Sequence, residues 1–199
     1  MSFVLRPAGG PPLHHNFVVA ALSDLFGIQG RGGCSCAGPY GHRLLGIDET
    51  RARAFASQAA AGWLGVKPGW TRVSFAFYMT DAVADYIIAA VHRLAQYGHR
   101  LLADYRFDPR SGLWSHRRPA SPRPGLPAQL RRALDGGPAP EPGPEPERDP
   151  DSLLAAHLHQ ACAVLTGASD PDPDATQAWV SDEYDRLRWF QLPLSCVRP

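Results

Sequence analysis

The chain has 199 residues, 44% of them apolar, and a formal net charge of +1. That length holds one domain with a real core and an appendage, and a balance so near neutral gives no reason to expect a nucleic-acid or membrane partner. No apolar run reaches bilayer-spanning length, the start Met1-Ser2-Phe3-Val4-Leu5-Arg6 is too soon interrupted for a signal peptide, and four cysteines make no disulfide framework, so a reduced, cytoplasmic setting is expected.

Ser2 to Leu5 is a short apolar run that can start a strand, and Pro7 to Pro12 turns away from it. His14-His15-Asn16 precedes a helical pattern with Phe17, Val18, Ala21, Leu22 and Leu25 on one face. Asn16 is the expected N-cap and Gly27 the expected left-handed residue at the end. Ile28 to Gly32 then returns as a strand into the stretch Gly30-Arg31-Gly32-Gly33-Cys34-Ser35-Cys36-Ala37-Gly38-Pro39-Tyr40-Gly41-His42. Glycines at that density mean sharp bends or a close approach.

Asp48 to Ala61 reads as a helix with acids in its first turn and Gly62 to end it. Val66-Lys67-Pro68-Gly69 turns into a strand over Thr71 to Phe77. Thr80 then caps a helix with Val83, Tyr86, Ile87, Ala90, Val91 and Leu94 at spacings of three and four, the clearest periodicity in the chain. Tyr105-Arg106-Phe107 and Leu113-Trp114-Ser115 flank a five-residue turn and predict a β-hairpin. Residues 119–150 hold ten of the 20 prolines and read as a linker. Asp151 to Thr166 predicts a short helix with Leu153, Leu154, His157, Leu158, Ala161 and Leu165 inward, and Leu187 to Leu194 is expected to pack back onto the main domain. Cys162 and Cys196 read as packing residues.

Two arginines organise the candidate site. Arg31 stands just before the cysteine loop, and Arg72 lies in Gly69-Trp70-Thr71-Arg72-Val73-Ser74-Phe75. A guanidinium offers a planar fork to a carboxylate or phosphate, and it favours the thiolate of a nearby cysteine. From residue types alone these features also fit a surface loop with incidental cysteines and salt-bridged arginines. A third option is a metal site of Cys34, Cys36 and His42, with His14 or His15 as fourth ligand, although the spacing is not a regular zinc pattern.

The order of arginine, glycine-rich cysteine loop, arginine-bearing strand and helix resembles the C-terminal small domain of class V aminotransferases, the pyridoxal phosphate (PLP) enzymes of fold type I that include the cysteine desulfurases. Arg31, Gly33, Cys36, Ala37 and Pro39 match the R-x-G-x-x-C-A-x-P pattern of one desulfurase group, and the resemblance covers roughly residues 1–116. It implies that Arg72 binds a substrate α-carboxylate, that Arg31 lines the same site, and that Cys36 is the candidate catalytic thiol. Cys34-Ser35 replaces two histidines usual in that group, which sets desulfurase chemistry apart from the rest of the likeness.

The same resemblance implies what the chain lacks. The aldimine lysine, the acid on the pyridine nitrogen and the phosphate cup belong to the family's large domain. Lys67, the single lysine among 20 basic residues, stands in a turn that does not match the family's aldimine lysine. The chain therefore reads as the C-terminal part of a longer enzyme, with an amino-acid substrate and a PLP-binding large domain or subunit as partners. The expected fold is α+β: a small, mostly antiparallel sheet of about three strands covered by helices (1–118), then a proline-rich linker (119–150) and a helical appendage (151–199). The alternative is a non-catalytic interaction or metal-binding module that keeps this fold.

Overall fold

The computed structural model describes residues 1–33, 38–118, 149–168, 180–193 and 195–196. Its first sheet is built from β1 (Ser2–Phe3), β2 (Arg31–Gly33) and β3 (Trp70–Arg72), in the antiparallel order β1-β3-β2. A helix α1 (His15–Phe26) connects β1 to β2 and packs against the sheet. Its apolar face buries Phe17, Val18, Ala21 and Leu22, and Gly27 closes it in the left-handed conformation at φ 65°. The fold is α+β, with a three-stranded antiparallel sheet and a separate hairpin.

The helix starts differently from the expectation. His14, not Asn16, is the N-cap: the backbone N–H of Asn16 donates to His14 Nδ1 at 3.1 Å. The Asn16 amide is engaged elsewhere, donating from Nδ2 to the Gly112 carbonyl at 2.8 Å. A contact across 96 residues thus claims the side chain that local propensity assigns to the cap.

After β2 come α2 (Gly38–Leu44), which the sequence did not signal, and α3 (Glu49–Ala60), capped by Asp48. A 3₁₀ turn, Leu64–Val66, leads into β3. The strand is shorter than Thr71 to Phe77, because its two partners are themselves two and three residues long. The ladder's last bond runs from Val73 N–H to the Met1 carbonyl, and residues 73–80 then cross to α4 (Asp81–Tyr97). Thr80 caps α4 by accepting from Val83 N–H, and Tyr86, Ile87, Ala90 and Leu94 are buried.

A second 3₁₀ stretch, Gly98–Asp104, leads to the hairpin of β4 (Tyr105–Asp108) and β5 (Leu113–His116). Tyr105, Phe107 and Trp114 turn inward while Arg106 faces out. The hairpin gains a third strand, β6 (Ser195–Cys196), parallel to β4. Of the proline-rich segment only Asp149 and Pro150 are described, and they cap and begin α5 (Pro150–Gly167); the remaining linker residues lie outside the described ones. At 18 residues α5 is not short, and His157 is exposed on it rather than inward, while Ala161 and Leu165 are buried. It packs chiefly on α4. A short α6 (Asp182–Leu187) follows, with Tyr184 buried.

Leu165, Tyr184, Phe190 and Leu192 join Leu13, Phe17, Leu94 and Phe107 in one hydrophobic cluster. Cys162 and Cys196 are free thiols of intermediate burial, and burial pushes that of Cys196 up to about 11. Among the described residues no helix is long and apolar enough to cross a membrane.

Candidate carboxylate-binding site

Antiparallel pairing brings Arg31 and Arg72 directly opposite one another, since Arg31 of β2 pairs with Arg72 of β3. Side chains alternate along a strand, so the neighbouring pair, Gly32 and Thr71, turns to the other face. There α1 covers the sheet: Thr71 Oγ1 donates to the His15 carbonyl at 3.2 Å. Gly32 lies so close to Asn16 and His15 that a Cβ would collide with the Asn16 Oδ1. One face is thus closed by α1, and the other presents two exposed guanidinium groups.

Glycine makes this arrangement possible at two further points. Gly33 adopts φ 121°, where other residues are strained. A Cβ on Gly69 would lie 2.6 Å from the Gly33 carbonyl carbon, so the two backbones touch. The end of β2 at Gly33 is therefore pressed against the entry to β3 at Gly69.

Like charges directly opposite on a sheet repel. Among the described residues no carboxylate forms an ion pair with either arginine; Arg53 with Glu49 and Arg188 with Asp185 are paired elsewhere. An anion placed between two guanidinium groups relieves that repulsion and accepts hydrogen bonds from both. Chemically the site can hold a carboxylate or a phosphate.

Cys36 and its neighbour Cys34 lie outside the described residues. His42 sits in the last turn of α2. His14 does not fit the metal alternative, because both of its ring nitrogens are engaged: Nδ1 accepts from Asn16 N–H and Nε2–H donates to the Gly65 carbonyl at 3.1 Å. Among the described residues no group of three or more metal-ligating side chains is assembled.

A buried histidine pair is the feature that sequence reasoning missed. His14 is 1% exposed and His15 6%. Their rings stack 4.2 Å apart, and Trp189 stacks on both at 5.6 and 5.8 Å. Burial is the main cause that lowers the His14 pKa, with repulsion from His15 second and the Gly65 bond opposing; burial alone brings His15 down to about 4. The His-His-Asn triplet at a helix start was the available signal, but nothing local points to a tryptophan more than 170 residues away.

An aldimine needs a lysine held in a pocket, whereas Lys67 is exposed at the end of the Leu64–Val66 turn. No family model matches the chain, and neither the curated proteins nor the solved structures hold a match to it.

Proposed function

We propose that this chain is the substrate-carboxylate-binding small domain of a class V aminotransferase-like or cysteine desulfurase-like PLP enzyme. A partner domain or subunit supplies the cofactor and its lysine. The observation that carries the reading is the register of Arg31 opposite Arg72 on an open sheet face, without a described carboxylate to neutralise them. When bound by that partner, PLP would supply the electron sink for amino-acid chemistry. This chain's part is to fix the substrate. A bidentate guanidinium sets the position and the angle of a carboxylate, which lysine cannot do.

Cys36 is the thiol that would act on sulfur in the desulfurase form of the reading, with Arg31 five residues earlier favouring its thiolate. The same reading places the protein in the cytoplasm, in keeping with the free thiols of Cys162 and Cys196.

The test is to mix the full chain with PLP and an amino acid, reduce with borohydride and map any adduct by mass spectrometry. The expected result is no stoichiometric pyridoxyl group on Lys67 and no turnover. Stoichiometric labelling of Lys67 together with turnover would show a self-sufficient enzyme and overturn the reading.

A further inference from the structure

Trp70 stands apart from the other described tryptophans. Trp114 belongs to the hydrophobic core, and Trp63 and Trp189 pack against it. Trp70 is half-buried on β3, and among the described residues it joins no part of that core and pairs with no other ring. The described arginines that lie over rings are elsewhere: Arg51 on Phe55, Arg100 on Tyr97 and Arg110 on Trp63. The indole of Trp70 is thus a flat apolar surface that the fold does not use.

The strand sets this ring beside the arginine pair. Side chains two apart on a strand share a face, so Trp70 lies on the same open face as Arg72, about 7 Å further along. Thr71 between them is buried under α1 on the other face. Across the ladder Trp70 is paired with Gly33, as Arg72 is with Arg31. A Cβ placed on Gly33 would meet nothing within 4 Å. Among the described residues the space over Gly33 is therefore open, with an indole at its side and two guanidinium groups at its end.

These groups ask two things of one ligand. The guanidinium pair calls for an anion, and the indole calls for a second flat ring, which gains from stacking beyond what its buried area gives. In an aromatic amino acid only Cα and Cβ separate the carboxylate from the ring, a span that suits the step from Arg72 to Trp70. An aliphatic side chain reaches the indole but has no face to lay on it.

We infer that the open face of β1-β3-β2 selects amino acids with an aromatic side chain: Trp70 receives the ring in the space over Gly33, while Arg31 and Arg72 hold the α-carboxylate. The inference deepens the function proposed above and rests on it for the choice of a carboxylate over a phosphate.

Titration calorimetry on the full chain tests this without PLP or a partner. The probes are the N-acetyl derivatives of phenylalanine, tryptophan, leucine and alanine, with adenosine monophosphate beside them. Acetylation removes the ammonium group that would otherwise face two arginines. The two aromatic carboxylates are expected to bind roughly tenfold more tightly than the two aliphatic ones. Trp70→Leu should bring the aromatic compounds down to the aliphatic level, and Trp70→Phe should restore most of the preference. Arg72→Ala should weaken all four carboxylates by the same factor. Equal binding of the four carboxylates, or an aromatic preference that survives Trp70→Leu, overturns the inference and leaves the proposed function standing. Tighter binding of adenosine monophosphate than of any carboxylate, or no binding of any carboxylate, overturns both.

Discussion

At the scale of single residues, His14 and His15 are adjacent, both buried and energetically unlike. His14 caps α1 and donates to Gly65, while His15 Nδ1 has no hydrogen-bond partner among the described residues. Replacing His14 with phenylalanine keeps the ring but strips two bonds, and is expected to cost about 1–3 kcal/mol. His15→Phe keeps the stack on Trp189 and removes a buried polar atom without a partner, so it should be neutral or stabilising. Chemical denaturation read by circular dichroism checks both. The pair also sets an acid limit. Burial favours neutral rings, so the unfolded chain binds protons first as pH falls below 6.5. Stability should decline from pH 6.5 downward, and the His15 part should level off near its folded value of about 4. For His15 that interval corresponds to a loss on the order of 3 kcal/mol. Melting temperature against pH, with His15→Phe showing a shallower acid slope than the parent, measures it; equal slopes would sink the assignment.

The arginines carry the other prediction at this scale. With a catalytic partner supplied, Arg72→Ala should lose roughly 2–5 kcal/mol of transition-state binding, the range for truncating one member of a buried charge pair. Arg72→Lys should recover only part of it, because the forked geometry is gone. Steady-state kinetics across several amino acids would show the loss as common to all of them, since each carries the same carboxylate. A loss confined to one substrate would argue that Arg72 reads a side chain instead.

Among the elements, α1, α3 and α4 were legible because capping residues and three-four periodicity are local signals. Asp48 and Thr80 cap as their types lead one to expect, and Tyr86, Ile87, Ala90 and Leu94 face inward as their spacing says. That Arg31 and Arg72 each lie in a short strand was legible, whereas the register that sets one directly opposite the other was not. What was hidden depends on distant contacts. Trp189 Nε1 donates to the Val66 carbonyl 123 residues away, and β6 pairs parallel with β4 from the far end of the chain. No window of sequence contains both sides of such a contact. The glycines were legible as bends but not by role. Gly69 looked like part of a turn, yet its want of a side chain lets β3 enter against Gly33. Gly69→Ala must push one backbone off the other and so shift Arg72 against Arg31. With the partner supplied, KM for amino acids should rise while the fold persists, and unchanged KM would show that the pair tolerates displacement.

For the molecule as a whole, the described part of the C-terminal segment packs into the common core. Phe190 is 1% exposed, and its ring meets those of His14, Phe107 and Trp114. Gln191 N–H reaches the Pro12 carbonyl, and Trp189 covers both histidines that begin α1. The helix that closes one face of the arginine sheet is therefore held at its N-terminus by residues near the end of the chain. Phe190→Ala opens a cavity in that shared core and should cost about 3–5 kcal/mol. For a chain of this size a loss of that order lowers the melting temperature by roughly 10 °C. If the C-terminal segment and the sheet are one cooperative unit, near-ultraviolet signals from the tryptophans and far-ultraviolet helix signals should shift down together. A variant that loses the tryptophan signal early while the helix signal melts at the parental temperature would show that the segment comes away alone, and that α1 and the arginine pair keep their places without it.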